Sequence, residues 1–316
     1  MGLATFRGGV HPFEGKELSM DRAVTVLKPT SGEMVYPLSQ HIGAPAKAIV
    51  KVGDEVLVGQ KIAEAGGFIS AVVVSSVSGK VKKIEPRVTA GGAKSISIVI
   101  ENDGQYTAVE GLGEDRDVTK LSKQEIRDIV REAGIVGLGG AGFPTNVKLT
   151  PKDESKIDYI IVNGAECEPY LTCDYRMMIE EPERLIGGLK VMLQLFENAK
   201  AVIGVENNKP KAIEKLRALV KDEPKISVEA LRTKYPQGGE RSLIYAVTGR
   251  EINSSMLPAD AGCVVDNVNT VMAIYDAVCK RTPILERVIT ITGDAIKEPQ
   301  NFKVRTGMNY NDIIEA

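Results

Sequence analysis

Strand-like and helix-like patterns alternate through the second half of the chain, and this alternation restricts the fold more than any other feature. Apolar runs at 158–163, 200–206 and 226–232 read as strands, and the segments near 181–197 and 209–221 read as helices. Because a helix between two strands favours a parallel crossover, the pattern predicts βαβ units and a mainly parallel sheet. The sequence therefore predicts a Rossmann-like α/β domain.

The first hundred residues show a different pattern. Residues 35–100 alternate β-branched residues with glycine turns, which is typical of a small all-β module. Its two halves echo each other in VKVGDEVLVGQ and VSSVSGKVKKI, and the module resembles the biotinyl/lipoyl barrel sandwich. That family carries its swinging cofactor on a hairpin lysine. Since the corresponding stretch at 64–71 has no lysine, we expect no carrier role.

A polar, glycine-containing segment at 101–120 separates the two patterns. We therefore expect an N-terminal barrel-sandwich domain at 1–110 and an α/β domain at 118–284. A β-like run, RVITITGD, opens a third segment at 285–316 that resembles the start of a β-grasp (SLBB) domain. We expect this segment to be truncated and the parent protein to be longer.

A helix should open the α/β domain. Ser122 and Glu125 have the spacing of a capping box, and Gly134 ends the run. The apolar residues of one helical face are Ile126, Ile129, Val130 and Ala133.

Charge and cysteine content exclude several classes of protein. The 40 basic and 42 acidic residues give a formal charge of −2, so we expect no nucleic-acid partner. No stretch approaches the roughly 18 consecutive apolar residues of a membrane span. The four cysteines form no CxxC pair, which suits the cytoplasm and excludes the ligand spacing of a ferredoxin cluster.

No set of side chains has the spacing of a metal site or of a nucleophilic catalyst. His11 and His41 are the only histidines, and both precede the α/β domain. The sequence has no nucleophile elbow and no P-loop. We therefore expect no bound metal ion and no catalytic side chain of the hydrolase type.

The densest glycine cluster is GLGGAGFPTNVKL at 137–149. Gly137, Gly139 and Gly142 match GxGxxG, but a predicted helix precedes the cluster and Pro144 follows it, so the strand–turn–helix context of the dinucleotide fingerprint is not met. Closely spaced glycines still allow the backbone to approach a planar or phosphorylated ligand. A plain glycine-rich turn is the alternative.

The segment IVNGAECEPY places Asn163, Glu166 and Glu168 at the carboxyl end of a predicted strand, where open α/β sheets bind ligands. Carboxylates separated by one residue point to different sides of an extended chain. They therefore suit separate hydrogen bonds to ribose or ring donors better than a shared proton. Solvated loop acids that cap a helix are the alternative.

Two further helices are predicted at 239–248 and at 266–280. Their starts, at 238–239 and at 266–270, offer free N–H groups and the positive end of a helix dipole. Either could bind an anion. Plain N-capping by Asp266 or Asn267 is the alternative at the second start.

The segments GLGGAGFPTNVKL, IVNGAECEPY, IGVENN, GGERSLIYAVTGRE, LPADAG and DNVNT occur in one order. That series resembles the NADH-oxidising flavoprotein subunit of respiratory complex I. With the opening GGVHPFEGK and the β module, it is closer to the RnfC family, which belongs to the Rnf complex, the ferredoxin:NAD⁺ oxidoreductase. The resemblance covers essentially the whole chain.

The resemblance implies noncovalent FMN, with NADH as hydride donor or NAD⁺ as acceptor. It also implies a peripheral position on the cytoplasmic side of the cell membrane. The implied partners are the other membrane and soluble subunits of a cation-translocating Rnf complex, with ferredoxin as an indirect partner. The family's 4Fe–4S cluster motifs do not occur in this chain, so we expect the clusters only in an absent C-terminal segment.

Carried over by motif, the resemblance implies which residues bind the cofactors. Those of the glycine segment are Gly137, Gly139, Gly140, Ala141, Gly142, Phe143 and Lys148. Those of the later segments are Asn163, Glu166, Glu168, Glu206, Glu240, Asn267 and Thr270. Phe143 matches an aromatic residue that stacks on the dinucleotide, and Asn267 and Thr270 match the turn that holds the FMN phosphate. Lys148 would stabilise negative charge on the reduced ring.

Four positions depart from the complex I pattern. Leu138 stands in place of Arg and Ala165 in place of Asp, while Val202 and Leu257 replace aromatic residues. We therefore expect weaker or altered binding of the nicotinamide nucleotide.

Two other functions stay open. The lost positions would also fit a non-catalytic scaffold that docks other subunits, and a colourless protein that binds its partners would favour it. The GAGFPT core is shared with corrinoid-reducing flavoproteins of bacterial microcompartments, which lack the GGVHPFEGK segment.

Overall fold

The computed structural model describes residues 2–30 and 32–316. The chain divides into two compact units, each assembled from separated segments. The α/β unit consists of Met1–Val24, Lys148–Tyr275 and Thr290–Asn301. The barrel unit consists of Thr25–Val147, Asp276–Ile289 and Phe302–Ala316.

The barrel unit contains two small antiparallel sheets. The first eight strands are β1 (Thr25–Leu27), β2 (Glu33–Pro37), β3 (Lys47–Ala48), β4 (Glu55–Val56), β5 (Lys61–Glu64), β6 (Val73–Val74), β7 (Gly79–Val88) and β8 (Lys94–Asn102). One sheet has the order β2-β8-β7-β4 and the other β3-β5-β6. Tyr36, Ile62, Ile98 and Ile100 are fully buried in a core that both sheets share. The all-β module expected from the sequence is thus confirmed.

Helix α1 (Lys123–Glu132) begins as the sequence predicts. The Ser122 hydroxyl accepts a hydrogen bond from the Glu125 backbone N–H, and the Glu125 carboxylate accepts one from the Ser122 N–H at 2.8 Å. This reciprocal pair satisfies two N–H groups that the first helical turn leaves free. Ile126 and Val130 are buried. A short helix, α2 (Thr145–Lys148), follows.

The α/β unit alternates strands and helices. Its elements are β9 (Tyr159–Gly164), α3 (Cys173–Glu180), α4 (Pro182–Leu195), β10 (Lys200–Glu206), α5 (Pro210–Leu219), β11 (Ile226–Leu231), α6 (Glu240–Thr248), β12 (Cys263–Asn267) and α7 (Val268–Lys280). All strand pairs are parallel, and the sheet order is β11-β10-β9-β12. Counted along the unit this order is 3-2-1-4, which is the Rossmann order. Its topological switch point lies between β9 and β12, where such sheets bind ligands.

Two elements differ from the predicted boundaries. The predicted helix near 181–197 is preceded by a separate helix, α3, and α4 begins at Pro182, which fits the first turn of a helix. The predicted helix at 266–280 begins only at Val268, because Cys263–Asn267 form the buried strand β12. A five-residue strand with only three apolar residues, joined directly to a helix, carries too little periodicity to separate the two.

The N-terminal segment (residues 4–24) lies in the α/β unit, although the sequence grouped it with the barrel at 1–110. Ala4 bridges Leu231, and Val10 exchanges two backbone hydrogen bonds with Tyr235. These contacts span more than 200 residues of sequence, which local patterns do not report. The boundaries at 110, 118 and 285 otherwise remain predictions.

The last elements are β13 (Glu286–Ile291), β14 (Gln300–Arg305) and α8 (Tyr310–Ile314). Strand β14 pairs in parallel with β1, and the three strands form one sheet of order β1-β14-β13. The β-grasp assignment of 285–316 stays a prediction. Within the described ranges, no helix has both the length and the apolar character needed to cross a bilayer.

Candidate functional site

The acid loop (residues 165–171) leaves the carboxyl end of β9 beside the switch point. Glu166 and Tyr170 have φ angles of 50° and 67°, in the left-handed region that side chains other than glycine seldom adopt. Such conformations cost on the order of 1–3 kcal/mol each and persist where surrounding contacts fix them. Strained backbone of this kind is typical of ligand sites.

The Glu166 carboxyl group is buried. Its Oε1 accepts a hydrogen bond from the Asp174 N–H at 2.7 Å, at the start of α3. Burial, with repulsion from Asp174, raises the pKa of Glu166 to about 8, and Lys209 and Lys16 only partly oppose the shift. Oε2 has no hydrogen-bond partner among the described residues. At neutral pH this group is therefore predominantly a neutral carboxylic acid with one uncommitted oxygen.

The Asp174 carboxylate connects the acid loop to the start of α7. Its two oxygens accept hydrogen bonds from the side-chain amides of Asn267 and Asn269, both at 2.6 Å. The Asn267 Oδ1 in turn accepts from the Asn269 N–H at 2.9 Å, and Thr270 is fully buried one turn further on. The sequence motif predicted Asn267 and Thr270 but not Asp174, which reaches them from 93 residues away.

Lys148 stands at the centre of a second group of charges. Its Nζ donates to the Val265 carbonyl at 2.8 Å and lies 3.3 Å from Asp266 and 4.0 Å from Glu240. Burial alone would lower the pKa of Lys148, but attraction by Asp266 and Glu240 outweighs it and the pKa is raised. Burial raises the pKa of Asp266, whose Oδ2 has no hydrogen-bond partner within the described part of the chain.

Glu206, at the end of β10, is 1% exposed. Its Oε1 accepts from the Lys234 N–H at 3.2 Å, and its Oε2 lies 3.5 Å from the Lys209 ammonium. Burial raises the pKa of Glu206 despite that ion pair. Beside it lies a cavity of about 30 Å³ lined in part by His11, Glu14 and Lys234. In this geometry the Glu206 carboxylate binds protein groups.

The other two predicted polar residues of this loop region also bind protein groups. The Asn163 amide donates to the Gly238 carbonyl at 2.8 Å, and the Asn163 Oδ1 accepts from the Ala165 N–H. The exposed Glu168 carboxylate accepts from the Tyr235 hydroxyl at 3.1 Å. The structure thus groups Lys148 with Glu240, and Glu166 with Asn267 through Asp174.

The glycine loop (residues 137–143) belongs to the barrel unit. The Gly137 N–H donates to the Phe143 carbonyl at 2.8 Å, which closes the loop. Gly139, Gly140 and Ala141 are exposed at its tip. A Cβ added to Gly140 would meet no atom within 4 Å, whereas Gly142 has a φ of 68° and lies close to backbone. The tip therefore presents accessible backbone, as the sequence anticipated.

Three possible metal ligands also lie near one another: Glu166, Cys173 and Asp174. Three of their four carboxyl oxygens have other partners, since Glu166 Oε1 accepts from a backbone N–H and both Asp174 oxygens accept from asparagine amides, which leaves only Glu166 Oε2. Burial also raises the pKa of the Cys173 thiol well above its ordinary value, which opposes thiolate ligation. The cluster is therefore poorly suited to a metal ion.

Comparison with family models matches both units. Residues 130–276 match the Nuo51 FMN-binding domain, and residues 4–105 match the RnfC barrel sandwich hybrid domain. The FMN-binding model spans both the glycine loop and the acid loop.

Curated relatives match nearly the whole chain. The RnfC counterpart in Clostridium ljungdahlii, from a proton-translocating ferredoxin:NAD⁺ oxidoreductase complex, is 47% identical over 313 residues, which cover 99% of this chain and 68% of the relative. The chain belongs to the RnfC family. The counterpart from the Na⁺-translocating complex of Acetobacterium woodii is 44% identical, with 98% of this chain and 70% of that protein covered. The counterpart from Haemophilus influenzae is 38% identical, and the chain spans 48% of its length.

Membership of the RnfC family makes the chain an oxidoreductase subunit with an FMN-binding domain. A crystal structure of an air-oxidised NAD⁺-reducing NiFe hydrogenase shares the fold, with a TM-score of 0.53 and 21% identity. The match covers 64% of this chain and 40% of the hydrogenase chain.

Proposed function

We propose that the chain is the FMN-binding, NADH/NAD⁺-reacting subunit of a membrane-associated, cation-translocating ferredoxin:NAD⁺ oxidoreductase complex. It would exchange hydride with nicotinamide and pass electrons to iron–sulfur clusters outside this chain. The observation that carries the proposal is the match of residues 130–276 to the Nuo51 FMN-binding domain. The names of the relatives in the RnfC family agree with it.

The residues present fit a flavin mononucleotide. Glu166 Oε2 and Asp266 Oδ2 are buried carboxyl oxygens without hydrogen-bond partners among the described residues, which is what a site for a ring N–H or a ribityl hydroxyl would leave. The glycine loop has an accessible backbone tip. We propose that Lys148, Glu166, Asn267 and Thr270, all in the α/β unit, bind the cofactor. That the glycine loop binds it as well is a separate proposal, which rests on the family resemblance.

Bound FMN would supply the redox chemistry, because it accepts a hydride from a reduced nicotinamide and releases electrons one at a time. The side chains need only bind, orient and tune. Lys148, held cationic by Asp266 and Glu240, would favour the negatively charged reduced state. Glu166, neutral below about pH 8, would donate a hydrogen bond from its uncommitted oxygen.

The assembly and location are part of the same proposal. We infer that the chain lies peripherally on the cytoplasmic side of the cell membrane, bound to the other subunits of an Rnf complex, with ferredoxin reached through them. We also propose that 285–316 begin a β-grasp domain. Because Leu138, Ala165, Val202 and Leu257 depart from the complex I pattern, we expect comparative titration to show weaker or altered binding of NADH and NADPH.

Replacement of Lys148 tests the proposed site. The purified chain should retain or take up FMN, and Lys148→Ala should weaken retention about tenfold, equal to about 1.4 kcal/mol, or lower the midpoint potential of the flavin. Lys152→Ala is the matched control, because Lys152 is exposed on the following loop. Unchanged FMN content and potential in Lys148→Ala would remove Lys148 from the site. A wild-type chain that cannot take up FMN would favour the scaffold.

A further inference from the structure

The N-terminal segment crosses the carboxyl edge of the parallel sheet. It binds the loop after β11 through the Val10 and Tyr235 backbones. It binds the loop after β10 through Glu14, whose carboxylate accepts from the Asn208 amide at 2.6 Å. It binds the acid loop after β9 through the Glu14 carbonyl, which accepts from the Tyr170 N–H at 2.7 Å. This segment therefore contacts the loops that follow three neighbouring strands.

Lys16 is buried in this contact, with 5% of its surface exposed. Its ammonium donates to the carbonyl oxygens of Leu171 at 2.6 Å, Glu166 at 2.8 Å and Glu168 at 3.1 Å. A lysine ammonium has three donors, and the acid-loop backbone satisfies all three. Burial of a charge is costly unless it is hydrogen-bonded, so these bonds fix both the lysine and the loop.

The bonds bracket the strained part of the acid loop. They begin at Glu166 and end one residue after Tyr170, and these are the two residues with left-handed backbone. Lys209 adds a fourth bond, from its ammonium to the Ala165 carbonyl at 2.7 Å. Such strain persists only where surrounding contacts exceed its cost. Without Lys16, the buried Glu166 carbonyl would lose its donor, at about 1–3 kcal/mol for an unsatisfied buried group, and the part-buried bonds to the Glu168 and Leu171 carbonyls would be lost as well.

We propose that Lys16 is a positioning residue of the cofactor site: through the acid-loop carbonyls it keeps the Glu166 carboxyl group buried against the start of α3, with one oxygen uncommitted. The segment GGVHPFEGK, which ends at Lys16, would thus position the acid loop within the α/β unit. The functional part of this inference rests on the proposed flavin site. The effect on Glu166 itself does not.

The titration of Glu166 reports its position. The groups that face it are Asp174 and Cys173 from α3, Lys209 before α5, and Lys16 from the N-terminal segment. Burial is the main cause of its raised pKa. If Lys16→Met releases the loop to water, the pKa of Glu166 falls from about 8 toward its ordinary value. If the loop stays in place, loss of the Lys16 charge raises that pKa further. The two cases therefore shift the pKa of Glu166 in opposite directions.

The first measurement is the carboxyl-carbon NMR titration of Glu166 in the full chain without cofactor, assigned by Glu166→Gln. We expect the midpoint in Lys16→Met to lie about one pH unit or more below that of wild type. Lys16→Arg, which keeps charge and donors, should recover part of the difference. Lys225→Met is the matched control, because the Lys225 ammonium also donates to a carbonyl, that of Glu197 at 2.9 Å, but on exposed surface. An unchanged or raised midpoint in Lys16→Met would overturn the proposal.

A second variant keeps the test decisive if Lys16→Met does not fold. The Lys234 ammonium donates to the Phe6 and Gly8 carbonyls at 2.5 and 2.9 Å, so Lys234→Met loosens the N-terminal segment at its other end. We expect a smaller fall in the Glu166 midpoint, and no fall would count against the proposal.

The flavin-loaded chain gives the functional readout. With ferricyanide added as the electron acceptor that reoxidises the flavin, Lys16→Met, or Lys234→Met in its place, should raise the KM for NADH about tenfold while kcat changes about twofold or less. A wild-type chain that NADH does not reduce would refute the proposed function, and the NMR result would still decide the role of Lys16. A reducible wild type with unchanged KM in the variant would refute only this inference.

Discussion

The glycine loop exposes Gly139, Gly140 and Ala141 at its tip, whereas the acid loop buries Glu166 and has its carbonyls bound by two buried lysines. The first offers bare backbone where a side chain would meet nothing. The second is fixed by charged groups that cost free energy to bury. Substitutions in the glycine loop should therefore affect ligand binding, and substitutions around the acid loop should affect folding and titration as well.

The largest effect should come from Lys209, which is fully buried beside Glu206 and donates to the Ala165 carbonyl. Lys209→Met leaves a buried carboxylate without its counter-charge, and we expect a loss of about 3–5 kcal/mol in the free energy of unfolding. Denaturant unfolding measures the loss, and Glu206→Gln added to Lys209→Met should recover part of it. Lys211→Met, at an exposed ion pair, is the control. A loss no larger than that of the control would show that the acid loop does not depend on buried charge.

The sequence predicts more about the glycine loop than about the acid loop. The spacing of Ser122 and Glu125 predicts α1, and the strand–helix alternation predicts the parallel sheet, because both are local signals. The close spacing of the glycines, which allows a ligand to approach the backbone, is a local signal as well. The contacts that fix the acid loop leave no such signal, since Lys16 reaches Glu166 across 150 residues of sequence.

Prediction of the candidate site is limited in the same way, because contacts between residues far apart in sequence leave no local signal. The motif predicts Asn267 and Thr270, but Asp174, which orients Asn267 from α3, has no signal in periodicity or spacing. The family resemblance predicts Glu206 as a cofactor ligand. Only tertiary structure shows that Lys209 and the Lys234 backbone bind its carboxylate.

The pH dependence of stability provides the next test of the acid loop. The pKa of Glu166 is about 8 in the folded chain. Between the ordinary pKa of a glutamate, about 4.5, and about pH 8, the folded chain therefore keeps the Glu166 proton while the unfolded chain releases it. The stability of wild type should therefore fall relative to Glu166→Gln as the pH rises from about 4.5 to about 8. Between about pH 5 and pH 7 we expect a relative loss of about 2–3 kcal/mol, measured by unfolding at each pH. Glu206 and Asp266 titrate in both proteins and cancel in the difference. Parallel stability curves would contradict the burial of Glu166.

Substitution at the tip of the glycine loop should have the smallest effect on the free energy of unfolding. It should nevertheless weaken the binding of FMN. Gly140→Ala adds a methyl group that meets no protein atom, so the free energy of unfolding should change by about 0.5 kcal/mol or less. If the tip lies against the flavin, FMN should bind about tenfold more weakly, equal to about 1.4 kcal/mol. Gly91→Ala, equally unobstructed in the loop between β7 and β8, should change neither quantity. Unaltered FMN affinity in Gly140→Ala would show that the tip does not contact the flavin and that the glycine loop is a plain turn.

The most direct test of the account is anaerobic titration of the FMN-loaded chain with NADH, followed by the visible absorbance of the flavin. The account predicts that FMN binds and that NADH bleaches it, with about one NADH consumed per bound flavin, because one hydride carries both electrons. Bound FMN that stays oxidised in excess NADH would contradict the proposed reaction, and a chain that takes up no FMN would contradict the site itself.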